Sequence, residues 1–223
     1  DFVTGRVESL MRKRQMYRKR DRLGIALSGG KDSAAMLHML HDRRHRMNIK
    51  PVGLHVHMGF DEFSDQSEQT VREQCEQIGV KLHVEAVSNF GIHIEPVDQF
   101  KICNVCGSVR RALLNRMSME HDIQTLATGH TLDDCLQFML KGVLSGNLQA
   151  PTPLLPATAQ RPRKIKPLYF IPESATEKYV ELVDIPYTDA ECPEFVPESH
   201  RFKQVFELLE ELAPMGKMQY AHT

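Results

Sequence analysis

Nowhere in the 223 residues is there an apolar run of the roughly eighteen residues that a membrane-crossing helix needs. The first residues also lack the basic, apolar, small-residue order of a secretory leader. The expectation is a cytoplasmic protein with no membrane partner. Net charge is almost nil, with 28 Lys and Arg against 29 Asp and Glu, so bulk charge gives no sign of a nucleic-acid partner. Cysteine is scarce and odd in number, five in all. In a reducing compartment that argues against a disulfide framework and for metal or redox chemistry. No internal repeat and no low-complexity segment is present. What remains is a chain long enough for one α/β domain with a core of useful size.

Charge is nonetheless unevenly placed. Arg6, Arg12, Lys13, Arg14, Arg18, Lys19, Arg20 and Arg22 crowd the first 22 residues. Residues 3 to 20 have helical spacing, with Val3, Val7, Leu10 and Met11 on one side. The bases around them are either a solvated face or a contact for a phosphate backbone, and the sequence supports both readings.

The segment densest in chemistry is Ser28-Gly29-Gly30-Lys31-Asp32-Ser33. Leu23 to Leu27 before it reads as a buried parallel strand, and the residues from Ala34 to Arg46 after it as a helix. Two glycines allow a sharp turn and close backbone approach to a ligand. The N–H groups and dipole of the first helical turn then favour an anion, to which Lys31 adds charge and Ser28 and Ser33 add hydroxyls. The order differs from the usual NTPase loop, because Asp32 follows the lysine where that motif has Ser or Thr. A carboxylate beside a bound anion makes sense with a metal ion between them. The six residues match the PP-loop of ATP pyrophosphatases.

Further along, Pro51 to Met58, Val80 to Val87, Ile123 to Thr128 and Lys166 to Ile171 read as strands. Between them, helices are expected from Ser64 (as cap) to Ile78, from Val109 to Met119, and from Pro172 to Val183. A last helix, Pro197 to Leu212, would bury Phe202, Val205, Phe206, Leu209 and Leu212. Alternation of strand and helix implies a doubly wound parallel sheet of the α/β class. In such sheets ligands sit beyond the C-terminal strand ends, so His57 and Gly129 become candidate nucleotide contacts. Asp133 and Asp134, after the expected cap Thr131, become candidate nucleotide or metal contacts. His55 reads instead as a histidine satisfied by backbone, and Cys75 as a small core residue beside Val71 and Ile78. Residues 149 to 167 read as a long surface loop with a basic tip of Arg161, Arg163, Lys164 and Lys166. By segments, 1–20 is a basic N-terminal helix, 21–195 the catalytic domain, and 196–223 a helix and tail packed on it.

Cys103 and Cys106 have a spacing that lets two thiolates approach one metal centre. Alone the pair fits half a zinc site, a redox pair or two unconnected thiols. Cys192, before a proline, is the candidate third ligand. Three ligands are too few for a closed structural zinc site, whereas three thiolates on a four-iron cluster leave one iron open.

The ordered set of Ser28 to Ser33, Cys103-x-x-Cys106-Gly, Arg110-Arg111, Ala127-Thr-Gly-His-x-Leu-Asp-Asp134, Lys166-Pro-Leu and Glu191-Cys-Pro193 resembles the PP-loop tRNA 2-thiolation enzymes, the TtuA and TtcA group. The likeness spans residues 20 to 195. It implies a sulfurtransferase with three cofactors: ATP and Mg2+ at Ser28, Gly29, Gly30, Lys31, Asp32 and Ser33, and a [4Fe-4S] cluster on Cys103, Cys106 and Cys192. Catalytic roles fall on Lys31, Asp32, Arg110 and Asp133. It further implies tRNA as substrate, a sulfur donor (sulfide, a persulfide or a carrier protein), and room for a homodimer. The C2 oxygen of a pyrimidine would attack the α-phosphate and release pyrophosphate, and sulfur would then displace AMP. Such chemistry needs a flipped-out or single-stranded base. Two departures stand out: Cys135 follows the paired aspartates where the family usually has Glu, and the cysteine-rich zinc fingers of the TtuA branch do not occur in these residues. Rival readings are another PP-loop enzyme, such as an amide-forming ligase or a cluster-free persulfide thiolase, and a zinc-containing RNA-binding module.

Overall fold

The structure is a computed structural model that describes residues 2–96, 102–147, 151–194 and 198–212. Helix α1 (Phe2–Lys13) buries Val7 and Met11 and ends with Arg12 and Lys13, whose charges suit a helix C-terminus. It stops well short of residue 20. Gln15 takes a left-handed φ of 49°, and the Met16 N–H returns to the Met11 carbonyl, so Met16 enters the core instead of extending the helix.

Strand β1 (Arg22–Ala26) leads into α2 (Lys31–Asp42), as expected. That helix ends at Asp42. Arg43, at φ −90° and ψ 0°, bends the chain into a single turn, α3 (Arg44–Met47), before β2 (Lys50–His57). Helix α4 (Asp61–Ile78) follows, closed by left-handed Gly79. Its cap position is Phe60; Ser64 lies inside the first turn, where its hydroxyl accepts from the Phe60 N–H at 2.8 Å. Strand β3 (Leu82–Ala86) comes next. Helix α5 (Ile102–Glu120) starts seven residues before the expected Val109, which puts Cys103 and Cys106 in its first turns. Ile102, Cys106 and Val109 continue its apolar spacing across Gly107.

Strand β4 (Thr125–Ala127) feeds α6 (Leu132–Leu144). The expected basic loop is a short hairpin: β5 (Leu154–Leu155) pairs antiparallel with β6 (Arg163–Ile165), which lies parallel to β4. Strand β6 thus precedes the expected Lys166 to Ile171. Ile165, Leu168 and Ile171 are all buried, but their spacing of three is that of turns, closed by Tyr169 N–H to Lys166 O and Ile171 N–H to Leu168 O. Arg163 is accordingly not at a tip. It lies within the sheet, 3.7 Å from Asp21. Helix α7 (Glu173–Val183) is capped by Pro172.

Helix α8 (Glu198–Leu212) departs from expectation in burial: Val205 and Leu212 are exposed. It lies against α6, with Lys141 over the Phe202 ring, rather than over a core. Leu209's side chain, Pro197, and residues 97–101, 148–150 and 213–223 fall outside what is described.

Sheet order is β3-β2-β1-β4-β6-β5, parallel except at the β5 edge. One apolar core lies under α1, α2, α4 and α7, and a second is formed with α5. Helices therefore cover both faces, as a doubly wound sheet requires. Chain order reverses between β1 and β4, which opens a crevice at their C-terminal ends. Among the described residues no helix is long and apolar enough to cross a membrane.

Candidate functional site

The glycine turn occupies this switch point. Gly29 has φ 90°, and a Cβ there would meet the Ser67 carbonyl at 3.1 Å. Its own carbonyl is held from two sides, by the Gln74 amide (3.1 Å) and by the Thr188 N–H (3.0 Å). Ser33 Oγ donates to the Gly30 carbonyl at 2.9 Å and accepts from the Ser28 N–H at 3.3 Å, so the hydroxyls of the loop brace its curve. Gly129, at the end of β4, comes so close to α2 that a Cβ would lie 3.3 Å from the Ser33 nitrogen. The loops after β1 and β4 are thus packed on each other.

Lys31 and Asp32 are drawn to a partner that no motif announced. Lys31 Nζ pairs with Glu173 Oε1 at 2.5 Å and lies 3.8 Å from Asp32 Oδ2. Asp32 Oδ1 accepts from Thr176 Oγ1. The Glu173 N–H donates to Asp133 Oδ2 at 2.7 Å. One turn of α7 therefore touches three of the four residues expected to be catalytic. Burial alone would lower the Lys31 pKa, but the Glu173 hydrogen bond and the charges of Asp32, Glu173 and Glu177 raise it overall. Burial pushes Asp32 up to about 6, against the opposing pull of Thr176 and Lys31 and with help from Glu173 and Asp134.

Asp134 has a structural occupation. Its carboxylate accepts from the Thr131 N–H and hydroxyl, while Thr131 Oγ1 accepts from the Asp134 N–H, a reciprocal cap at the start of α6. His55 is buried with Nδ1 2.9 Å from the Leu27 carbonyl, as expected. His57 is half-buried at the end of β2 and holds Asp65 at 3.0 Å.

Cys103, Cys106 and Cys192 carry free thiols. Cys106 is raised in pKa by burial, lowered by Arg110, and raised by Cys192 and Cys103, so all three thiols and the guanidinium share one neighbourhood. Arg110 Nη2 lies 3.8 Å from Cys106 Sγ, and Cys103 Sγ lies 3.8 Å from the Glu194 carbonyl. Arg110 also bears on His55, at the foot of the crevice. Cys192 is four residues beyond Thr188, whose N–H grips Gly29. Cys75 and Cys135 are different: both are buried, and burial lifts each to about 12. Arg111, Lys164, Lys166 and His130 add a basic flank, since Lys166 and Arg111 depress the His130 pKa and Arg161 and Arg111 depress that of Lys164, in each case after burial.

The donor sets suit the expected cofactors. Among the described residues no three His, Cys, Asp or Glu side chains converge tightly enough to hold a metal ion. Mg2+ asks for only one or two carboxylates, completing its shell with water and substrate phosphates, and Asp32 and Asp133 can supply them. A four-iron cluster takes each thiolate on a different iron, so three thiols around one space fit it without meeting at a point.

The PP-loop domain family profile matches residues 3–193. The chain is 31% identical over 199 residues to a Pyrococcus horikoshii protein named tRNA-5-methyluridine(54) 2-sulfurtransferase, covering 86% of this chain and 63% of that one. A protein of the same name from Thermotoga maritima is 31% identical over 224 residues, covering 96% and 72%. The chain thus spans a little under two thirds of the first relative's length and somewhat more of the second. Among solved structures, the U34-tRNA thiolase NcsA from Methanococcus maripaludis with its [4Fe-4S] cluster shares the fold. Its TM-score is 0.86 at 22% identity, over 99% of this chain and 76% of that chain.

Proposed function

The chain belongs to the PP-loop domain family, and on that premise we propose that it is an ATP-dependent sulfurtransferase that thiolates a tRNA pyrimidine at C2. The observation that carries this reading is the position of the three thiols. Cys103, Cys106 and Cys192 share a neighbourhood with Arg110, and the Cys192 segment is tied to the nucleotide loop through Thr188. A simple ATP-cleaving ligase has no use for such a set. The names of the Pyrococcus and Thermotoga relatives support the same chemistry.

In this reading the α2 N-terminus and Lys31 hold the phosphates of ATP and stabilise the charge that grows on departing pyrophosphate. Asp32 and Asp133 would hold Mg2+, which would neutralise phosphate charge. Arg110, held beside Cys106, would neutralise charge on the α-phosphate or the adenylate. The C2 oxygen displaces pyrophosphate from the α-phosphorus, and incoming sulfur then displaces AMP, which leaves with that oxygen. Cys103, Cys106 and Cys192 would hold a [4Fe-4S] cluster, which when bound would supply an open iron for the sulfur of an external donor. Lys166, just past the C-terminal end of β6, and Lys164, near Arg111, take phosphates flanking the target nucleotide. The reducing cytoplasm suits free thiols of this kind.

Anaerobic reconstitution of single Cys→Ser variants, read by iron content and by thionucleoside yield from treated tRNA, tests the reading. Cys103, Cys106 and Cys192 variants should each lose most iron and all thiolation, whereas Cys75→Ser and Cys135→Ala should keep both. If Cys192→Ser keeps full iron and activity while Cys135→Ala loses them, the ligand set is wrong.

A further inference from the structure

Far from the crevice, the bend at Arg43 and the flank of α1 enclose an open concavity of about 510 Å³ lined by Gly5, Glu8, Ser9, Arg12, Arg43 and Arg46. Glu8 is 5% exposed on the core side of α1. A buried carboxylate is costly unless paired, and here Arg12 lies at 2.8 Å, Arg46 at 3.1 Å and Arg43 at 3.9 Å. We propose that this groove, in which Glu8 gathers three arginines, binds phosphate groups of an RNA backbone.

The stoichiometry is the first reason. One carboxylate cannot occupy three guanidiniums, each with five N–H donors. Asp42 lies 3.3 Å from Arg43 and shares that arginine with Glu8. Arg12 and Arg46 side chains are 48% and 64% exposed, and part of each planar fork faces solvent. Arg12 also donates to the Arg46 carbonyl at 3.4 Å, which fixes the two arginines side by side. Held arginine forks are suited to bidentate phosphate contacts.

Extent is the second reason. The groove is wider than a single ion requires, and a second concavity of about 210 Å³ shares Ser9 with it. That one is lined by Arg6, Lys13, Arg14 and Phe170, and Phe170 lies three residues before Glu173 of the crevice. A basic track thus leads from the far groove round α1 towards the reacting edge. Along α2, the twelve residues from Lys31 to Asp42 span ~18 Å at ~1.5 Å each. A backbone several nucleotides from the target base would lie here. The inference rests on the proposed tRNA substrate.

Anisotropy titrations of a tRNA transcript against the full chain, wild type and Arg12→Ala/Arg46→Ala, from about 50 to about 200 mM KCl, test it. Loss of two phosphate contacts should lower the salt slope by roughly 1.4 to 1.8, so the affinity gap between the proteins narrows about tenfold over that range. Arg12→Lys/Arg46→Lys should restore most of the slope, which excludes a folding defect as its cause. ATP affinity, measured beside it, reports the nucleotide end. If wild type binds tRNA and the Ala pair binds with the same slope, the groove is refuted and the thiolase reading stands. If wild type binds no tRNA while still binding ATP, both fall. If the pair loses binding only to anionic phospholipid vesicles or inorganic phosphate, the groove serves another anion and the proposal is overturned.

Discussion

Asp32, the proposed Mg2+ ligand, is placed where folding disfavours a charge, and Asp32→Asn should expose the conflict. The carboxyl is pushed from its ordinary 3.8 to about 6, chiefly by burial, and its side chain is only 25% exposed. Because the folded pKa lies above the unfolded one, the native state holds the proton more tightly. Stability is therefore fully present below pH 4 and falls as pH rises to about 6. A difference of 6 − 3.8, roughly 2 units at ~1.36 kcal/mol each, makes the deficit about 3 kcal/mol above pH 7. Asparagine keeps the shape and can still accept from Thr176, but it never ionises. Urea unfolding of both proteins without metal or nucleotide, between pH 4.5 and 8, is the assay. The variant should exceed wild type by only about 1 kcal/mol at pH 4.5 and by about 3 kcal/mol at pH 8, while its ATP-dependent activity is lost. Saturating Mg2+ and ATP should stabilise wild type more than the variant. A gap that does not change with pH, or a variant less stable at pH 8, would refute burial as the cause.

Glu173→Gln should free Lys31 from its carboxylate partner and tighten ATP binding several-fold, on the order of 1 kcal/mol for a partly buried pair. Calorimetry on the metal-loaded protein decides it, and weaker binding would show that Glu173 positions Lys31 instead of competing for it. Thiol labelling at pH 8 should separate the cysteines by rate: exposed Cys103 reacts fast, and Cys75 and Cys135, raised to about 12 by burial, react only on unfolding. Fast modification of native Cys135 would contradict its place in the core.

The strand, glycine turn and helix around Ser28 to Ser33 were legible because their signals are local. An apolar run, two glycines and a helix-forming run follow one another with nothing else to decide. Cys75 was legible for the same reason, through the helical spacing of Val71, Cys75 and Ile78. The stretch from Arg161 to Ile171 was not. Its apolar residues Ile165, Leu168 and Ile171 satisfy a turn as well as a strand, and β6 is made by pairing with β4, which no local property of Arg163 or Lys164 foretells. Helix α8 failed differently. Its periodicity was real, but periodicity reports a face and not what covers it, and the helix lies against α6 with Val205 and Leu212 exposed. Asp134 is a candidate nucleotide or metal contact because an acid beyond a strand end invites that, and in the structure it also completes a capping box with Thr131.

Glu173 and Thr176 had no signature at all, and topology explains why they nonetheless matter. Strands β1, β4 and β6 are parallel neighbours, so the turns that follow them open on one edge. The helices α2, α6 and α7 start from those turns. The first turn of α7 accordingly lies against α2 and reaches Asp133 at the start of α6. Glu173 is 142 residues from Lys31 along the chain, yet its carboxylate pairs with that lysine and its N–H reaches Asp133. Thr176, a turn later, receives Asp32. Residues at the head of the helix after β6 thus join Lys31, Asp32 and Asp133 by position, and chemistry then selects among those that position supplies.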